Sequence, residues 1–236
     1  MINTAIVLAG GLGTRLRSLV SDVPKPMAPV LGRPFLTYLL DYWIGQGIKQ
    51  IILSVSYRHD IISDYFGSSY RGAKIHYSVE EIPLGTGGGF ILAYKKYQIS
   101  EPFLLLNGDT YFPVELSALN LFSMQRDADW CFSMFHTKES NRYLKILASP
   151  EKNYLIEFQL EHSDVEWANA GVYWVNPRGL VNFDQFENKP LNLEKDIVMS
   201  CYKAGQSIYG FQVEAPFLDI GLPQDYLKAE TVIIQK

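Results

Sequence analysis

Short, strongly apolar runs alternate with helical patterns along the first half of the chain. AIVLA at 5–9, QIILSVS at 50–56, KIHYSV at 74–79 and PFLLLN at 102–107 read as strands. Between them, residues 35–44, 60–66 and 90–97 carry helical patterns. Strands this apolar, separated by helices, are covered on both faces, so the pattern predicts an α/β fold: a three-layer α/β/α sandwich around a mixed, mostly parallel sheet. The second half is β-rich and aromatic at 130–135, 143–147 and 167–175, with a helix expected over 193–204 and a strand over 207–213. No linker rich in Pro, Gly or Ser and no internal repeat interrupts it, so residues 1–236 are expected to form a single domain.

Composition narrows the possibilities. A hydrophobic share of 47% with 19% charged residues is that of a soluble globular protein, and no apolar run is long enough to span a bilayer. The first strand breaks at Gly10 without the pattern of a secretory signal, so a cytoplasmic protein with no membrane partner is expected. Cys131 and Cys201 lie far apart in apolar sequence and are read as buried, reduced thiols. A net charge of −4 without a basic block argues against nucleic acid as a partner, while leaving room for a local phosphate pocket.

Candidate chemistry begins where the first strand ends, in AGGLGTRL. Gly10, Gly11 and Gly13 lack the Cβ atoms that keep a ligand away from backbone N–H groups, which suits a phosphate cradle. Leu16 stands where a dinucleotide fingerprint needs its third glycine, and no Gly-Lys-Ser/Thr follows as in a Walker A loop. A glycine turn between strand and helix explains the glycines alone. It does not explain Arg15, a planar fork suited to phosphate oxygens, or Lys25, a point charge held between Pro24 and Pro26. Further on, Asp109 and Asp219 each follow a short apolar strand, and two such carboxylates with substrate phosphates satisfy Mg²⁺.

These stretches carry a resemblance. LAGGLGTRL with PKPMAPV is similar to the nucleotide-binding signature of the sugar-1-phosphate nucleotidyltransferases, with Ser21 in place of the usual threonine. The resemblance implies a Rossmann-like nucleotidyltransferase fold in which about 1–115 bind the nucleotide and about 116–236 the sugar. It implies nucleotide contacts from Leu8, Gly10, Gly11, Gly13 and Thr14, and catalytic roles for Arg15 and Lys25. EEIPLGTGGGF at 80–90 reads alone as a glycine-rich turn before a helix, but resembles the family's base-contacting loop, which adds Pro83, Gly85, Thr86 and Gly87. Where relatives that use pyrimidine nucleotides carry glutamine, this chain has Glu80. A carboxylate accepts the adjacent N1–H and N2–H donors of guanine, whereas a uracil edge sets carbonyl oxygens against it, so guanine is expected, with Glu81 as the alternative reader.

The same resemblance makes Asp109 and Asp219 the Mg²⁺ ligands and gives Asn107, Gly108, Asn169, Gly171 and Glu194 to the sugar. ANAGVYW at 168–174 is equally well read as a β-bulge, and LNLEKDIV at 191–198 as a helix start capped by Asn192. One departure stands out: Leu160 and Glu161 replace the Glu-Lys whose lysine holds the sugar phosphate in many relatives, leaving Lys145, Arg142, Arg178 or another subunit as substitutes. The reaction implied is sugar 1-phosphate + NTP → NDP-sugar + pyrophosphate. Within the family, PKPMAPV running into GRPFL, PLGTGGG and LDIGLPQDY look most like the D-glycero-α-D-manno-heptose 1-phosphate guanylyltransferases of surface-polysaccharide synthesis. Mannose-1-phosphate guanylyltransferases and N-acetylmuramate 1-phosphate uridylyltransferases are the alternatives. A non-catalytic sugar-nucleotide sensor is the rival from another class, and a homo-oligomer remains open.

Overall fold

A computed structural model of the chain describes residues 2–11, 13, 16, 19, 20, 22–138, 142–148, 150–156, 166–180, 183–186 and 190–234. In chain order the first half contributes β1 (Thr4–Leu8), a short hairpin of β2 (Pro29–Val30) and β3 (Arg33–Pro34), α1 (Phe35–Gly45), β4 (Gln50–Val55) and α2 (His59–Phe66). There follow β5 (Ser69–Tyr70), β6 (Ala73–Val79), α3 (Gly85–Tyr97) and β7 (Phe103–Asn107). The second half supplies β8 (Thr110–Tyr111), α4 (Leu116–Gln125), β9 (Trp130–His136), β10 (Trp167–Val175) and a π-helical turn, Leu193–Val198, that runs into α5 (Met199–Lys203). Strand β11 (Ile208–Gln212), β12 (Leu218–Asp219), α6 (Pro223–Tyr226) and α7 (Ala229–Ile234) complete it.

Eight of these strands form one sheet in the order β11-β9-β10-β7-β1-β4-β6-β5. Pairs β7–β1, β1–β4, β4–β6 and β9–β11 are parallel; β10 runs antiparallel to both its neighbours, and β5 to β6. The sheet is therefore mixed and mostly parallel, as the apolar runs predict. Alternate residues of each strand feed two separate cores. Val7, Leu53, Leu104 and Leu106 pack with Leu36, Leu40 and Trp43 of α1 and Leu119 of α4 on one face. Ile6, Ile52, Phe103 and Leu105 pack with Phe90 and Ile91 of α3 and with Leu193, Ile197 and Cys201 on the other. A third cluster, including Phe35, Tyr111, Leu218, Ile220 and Ala229, anchors β12 and α7 beside the sheet.

Cys131 and Cys201 are free and buried, as expected, and they lie in the two different cores. Burial pushes the Cys131 thiol up to about 12, which leaves it inert. No helix among the described residues is long and apolar enough to cross a membrane.

Three expectations need correction. Residues 143–147 form no strand; Lys145 makes an isolated bridge to Ala168, flanked by hydrogen bonds from the Ile146 N–H to the Trp167 carbonyl and from the Asn169 N–H to the Leu144 carbonyl. The segment borders β10 on the side that β7 takes over at Val172, so the available edge ends after a few residues. The helix expected over 90–97 starts five residues earlier, drawing the glycine-rich loop into its first turns. The helix expected over 193–204 opens as a π turn. Helix α4 had no sequence expectation; the Glu115 side chain caps it, accepting from the Ala118 N–H.

Phe90 anchors α3 to the sheet. It is fully buried, with ring centroids of Tyr94, Phe103, Trp130 and Phe183 between 6.0 and 6.2 Å away. Phe90→Ala is expected to destabilise the fold by about 4 kcal/mol, measured by urea unfolding.

Candidate active site

The carboxyl ends of β1, β4 and β7 open into a cleft of about 490 Å³, where ligands bind in open α/β sheets. Gly10, Gly11 and Gly13 form one wall and Leu8 lies at its base. Each glycine has its own reason. A side chain on Gly10 would meet Glu80 Oε1 at 2.9 Å, and one on Gly13, whose φ is +60°, would meet Lys25 Cβ at 2.9 Å. Around Gly11 nothing lies within 4 Å, so its exposed backbone faces open cleft. Thr14 and Arg15 lie outside the described residues.

The opposite wall is the start of α3. Pro83, Gly85 and Thr86 line the cleft, and Gly85 admits no side chain on two grounds, its positive φ of +71° and the Leu191 carbonyl in the space a Cβ would take. The Gly87 N–H donates to that carbonyl at 2.8 Å, and the Leu193 N–H donates to Thr86 Oγ1 at 2.9 Å. Gly87 is buried against Leu191 and Ile197 and does not face the cleft. Glu80 lies beneath both walls. Its Oε2 accepts from the Leu84 N–H at 2.9 Å, its Oε1 faces Ser54 Oγ at 3.5 Å, and a side chain on Gly89 would approach Oε1 to 2.5 Å. Glu80, not Glu81, lines the cleft.

At the floor, the Pro24–Pro26 turn drives Lys25 inward. Its Nζ lies 2.5 Å from Asp109 Oδ2 and 3.8 Å from Asp219 Oδ1, while the Gly221 N–H holds Asp219 Oδ1 at 2.6 Å. Both carboxylates thus converge on the space taken by one cationic group, and as hard oxygen donors they suit a divalent ion. Among the described residues no group of three or more His, Cys, Asp or Glu could hold a metal. An ion bound here therefore needs oxygen ligands from elsewhere, and phosphates supply them.

Toward the second half, Asn107 and Glu194 line the cleft, whereas Gly108, Asn169 and Gly171 stand behind it. Gly108 donates to the Leu8 carbonyl at 2.9 Å, leaving no room for a side chain. Gly171, at φ +73°, sits where β10 breaks register with β9, its missing side chain replaced by the Asn107 amide. Asn169 donates to Tyr173 Oη at 2.7 Å and to Glu194 Oε1 at 3.3 Å, and accepts from the Gly171 N–H at 3.0 Å. Tyr173 Oη donates to Glu194 Oε1 at 2.7 Å. Burial, reinforced by that carboxylate, keeps the Tyr173 phenol well above its ordinary range, so it remains a donor. Asn192 caps the π turn, accepting from the Lys195 N–H at 2.8 Å, and the same turn aims Glu194 into the cleft. The bulge, cap and sugar-site readings are thus compatible.

Residues 4–236 match the protein family described as nucleotidyl transferase. The chain belongs to that family. This nucleotidyl transferase is 39% identical, over 226 residues and 96% of both chains, to the D-glycero-alpha-D-manno-heptose 1-phosphate guanylyltransferase of Aneurinibacillus thermoaerophilus. It is 36% identical to the enzyme of that name from Campylobacter jejuni subsp. jejuni serotype O:2, over 94% of this chain and 96% of the other. The crystal structure of HddC from Yersinia pseudotuberculosis complexed with GMP-PN superposes with a TM-score of 0.78 at 32% identity, covering 98% of this chain and 99% of that one.

The structure adds four cleft residues to the nucleotidyl transferase that its sequence does not single out as site residues: Pro26, Ser54, Asn192 and Gly221. Ser54 had a readable signal, a lone hydroxyl in an otherwise apolar strand. Burial raises the Glu80 carboxyl above its ordinary range, against the opposing pull of the Leu84 amide and Ser54 hydroxyl. Its native state then holds a proton more tightly than the unfolded chain, so stability falls as pH rises through that range, and the loss is absent below it. Glu80→Gln removes the buried charge. Thermal melts are expected to show the variant more stable than wild type at about pH 7.5 and equal to it below about pH 4.

Proposed function

We propose that this nucleotidyl transferase transfers the nucleotidyl group of GTP to a sugar 1-phosphate, D-glycero-α-D-manno-heptose 1-phosphate by preference, releasing pyrophosphate. The observation that carries the reading is the cleft itself: a glycine wall over a buried carboxylate at one end, and Lys25 between two aspartates beside Asn107 and Glu194 at the other. Its likeness to the two heptose 1-phosphate guanylyltransferases supports the choice of sugar and base. We assign the reaction to the cytoplasm, where nucleoside triphosphates are made, and to a single domain whose two halves share the cleft.

In this mechanism Glu80 reads guanine. Its Leu84 and Ser54 partners fix the carboxylate while a lone pair on each oxygen stays available for N1–H and N2–H. Gly10, Gly11 and Gly13 let the backbone close on the phosphates, and Arg15, which follows them in the sequence, neutralises the triphosphate and the departing pyrophosphate. Lys25 holds the α-phosphate as the sugar-phosphate oxygen attacks in line, stabilising charge that grows on the five-coordinate centre. Asn107 and Glu194 orient the sugar hydroxyls, with Asn169 and Tyr173 holding Glu194 in place. Asp109 and Asp219 would hold Mg²⁺, which when bound screens the phosphates from the anionic nucleophile.

Pyrophosphate release, measured with GTP and UTP against heptose, mannose, glucose and N-acetylmuramate 1-phosphates, tests the proposal. GTP with the heptose substrate is expected to turn over fastest; preference for UTP would refute the assignment of Glu80, and silence across the panel would favour a non-catalytic sensor. Arg15→Ala and Lys25→Ala are each expected to lower kcat by about two orders of magnitude or more.

A further inference from the structure

The sequence leaves open which cation holds the acceptor's phosphate, because Leu160 and Glu161 stand where relatives place Glu-Lys. The fold separates the three cations in question. Arg178 follows the end of β10, where Val175 pairs with Phe103 at the start of β7, so it lies at the end of the sheet opposite the cleft. There it is engaged by Asp127 at 2.6 Å and Asp129 at 2.9 Å. Lys145 lies along the edge of β10 and donates to the Thr137 carbonyl at 2.6 Å, outside the cleft lining.

Arg142 is placed differently. It lines a second recess of about 380 Å³, together with Thr137, Tyr143, Phe217 and Asp219. Asp219 forms the boundary between recess and cleft floor. Its Oδ1 faces Lys25 at 3.8 Å, and its Oδ2 faces Arg142 Nη2 at 3.5 Å. The recess adjoins the end of β9, two strands beyond β7 in the direction away from Gly10 and Ser54. It is therefore on the acceptor side. Within the same recess, Asp225 Oδ2 pairs with Nη2 at 2.5 Å and Asp225 Oδ1 faces Lys228 at 3.5 Å, while the guanidinium carbon lies 4.7 Å over the Tyr143 ring. The guanidinium is thus held by Asp225 and Tyr143 beside a carboxylate at the reaction centre.

We propose that Arg142 grips the phosphate of the incoming sugar 1-phosphate, working from the side of Asp219 opposite Lys25. This rests on the transfer reaction proposed above. A dianionic phosphate that enters between Lys25 and Arg142 offers the planar guanidinium two oxygens at once, a stronger match than the 3.5 Å contact with a single carboxylate oxygen. Asp225 keeps the fork in place during that exchange. Lys25 serves the nucleotide's α-phosphate and Arg142 the acceptor's, so each reacting phosphate has its own cation.

The test compares full-length wild type with Arg142→Ala, Arg142→Lys and, as a control remote from the cleft, Arg178→Ala. With GTP saturating, Arg142→Ala is expected to raise the KM for sugar 1-phosphate about thirtyfold, and Arg142→Lys, which restores charge without the fork, about tenfold. The KM for GTP and its Kd in the absence of sugar should stay within about twofold for all variants, and Arg178→Ala should leave every constant near wild type. A sugar 1-phosphate KM unchanged in Arg142→Ala, or a rise confined to GTP or to the metal requirement, would overturn the proposal and make Arg142 a support for Asp219. If Arg142→Ala does not fold by circular dichroism, Arg142→Lys decides by the same criterion, since its ammonium still pairs with Asp225. Wild-type protein inactive with every sugar 1-phosphate would instead defeat the proposed function.

Discussion

A buried ammonium needs partners, and the rest of the cleft is arranged around that requirement. Lys25 is 9% exposed, and its charge is compensated by Asp109 at the end of the central strands and by Asp219 from a two-stranded pairing near the end of the chain. Taking such a charge out of water without those carboxylates would be prohibitive. Space follows from the same constraint. Gly13 has no side chain because Lys25 Cβ occupies its place, and a side chain on Gly221 would lie 2.6 Å from Asp219 Oδ1 and 3.0 Å from Lys25 Nζ. The prolines on either side of Lys25 limit how far the turn can yield.

A second set of contacts joins the start of α3 to the second half of the chain. The Leu191 N–H donates to the Leu84 carbonyl at 2.7 Å, the Leu191 carbonyl accepts from Gly87, and Thr86 accepts from Leu193. These bonds run between the start of α3 and the turn that carries Glu194. Gly171 does the same from β10, leaving room for Asn107. Any shift of the π turn is therefore felt at Thr86, so the spacing between these two parts of the cleft is set largely by backbone bonds.

Much of this could be read from the chain. β1, β4, β6 and β7 fall within a residue or two of their apolar runs, because strands buried on both faces leave little ambiguity. Lys25 was legible through its prolines, and Asp109 through the apolar strand before it. What could not be read depended on distant partners. The glycines of α3 look like a loop, and their helix depends on distant partners, Leu191 and Ile197 against Gly87 and the aromatic core around Phe90. Residues 143–147 have the composition of a strand but only a short free edge to join. The hydrogen bonds from Asn169 to Tyr173 and Glu194 were not legible either, because the network forms at the register break in β10. Choosing between Arg142 and Arg178 required knowing which end of the sheet each occupies.

The glycine content of α3 also bears on how the molecule becomes cooperative. Gly87, Gly88 and Gly89 sit inside the helix, each disfavouring it by about 1 kcal/mol relative to alanine, and too few strong helix formers follow to nucleate it alone. Its stability is borrowed from Phe90 in the aromatic core and from the backbone bonds to 191–193, residues supplied by the other half of the chain. The start of α3 is therefore tied to residues supplied by the other half of the chain, and the two open together. Slow hydrogen exchange at Gly87 and Leu193 accordingly belongs to one cooperative unit.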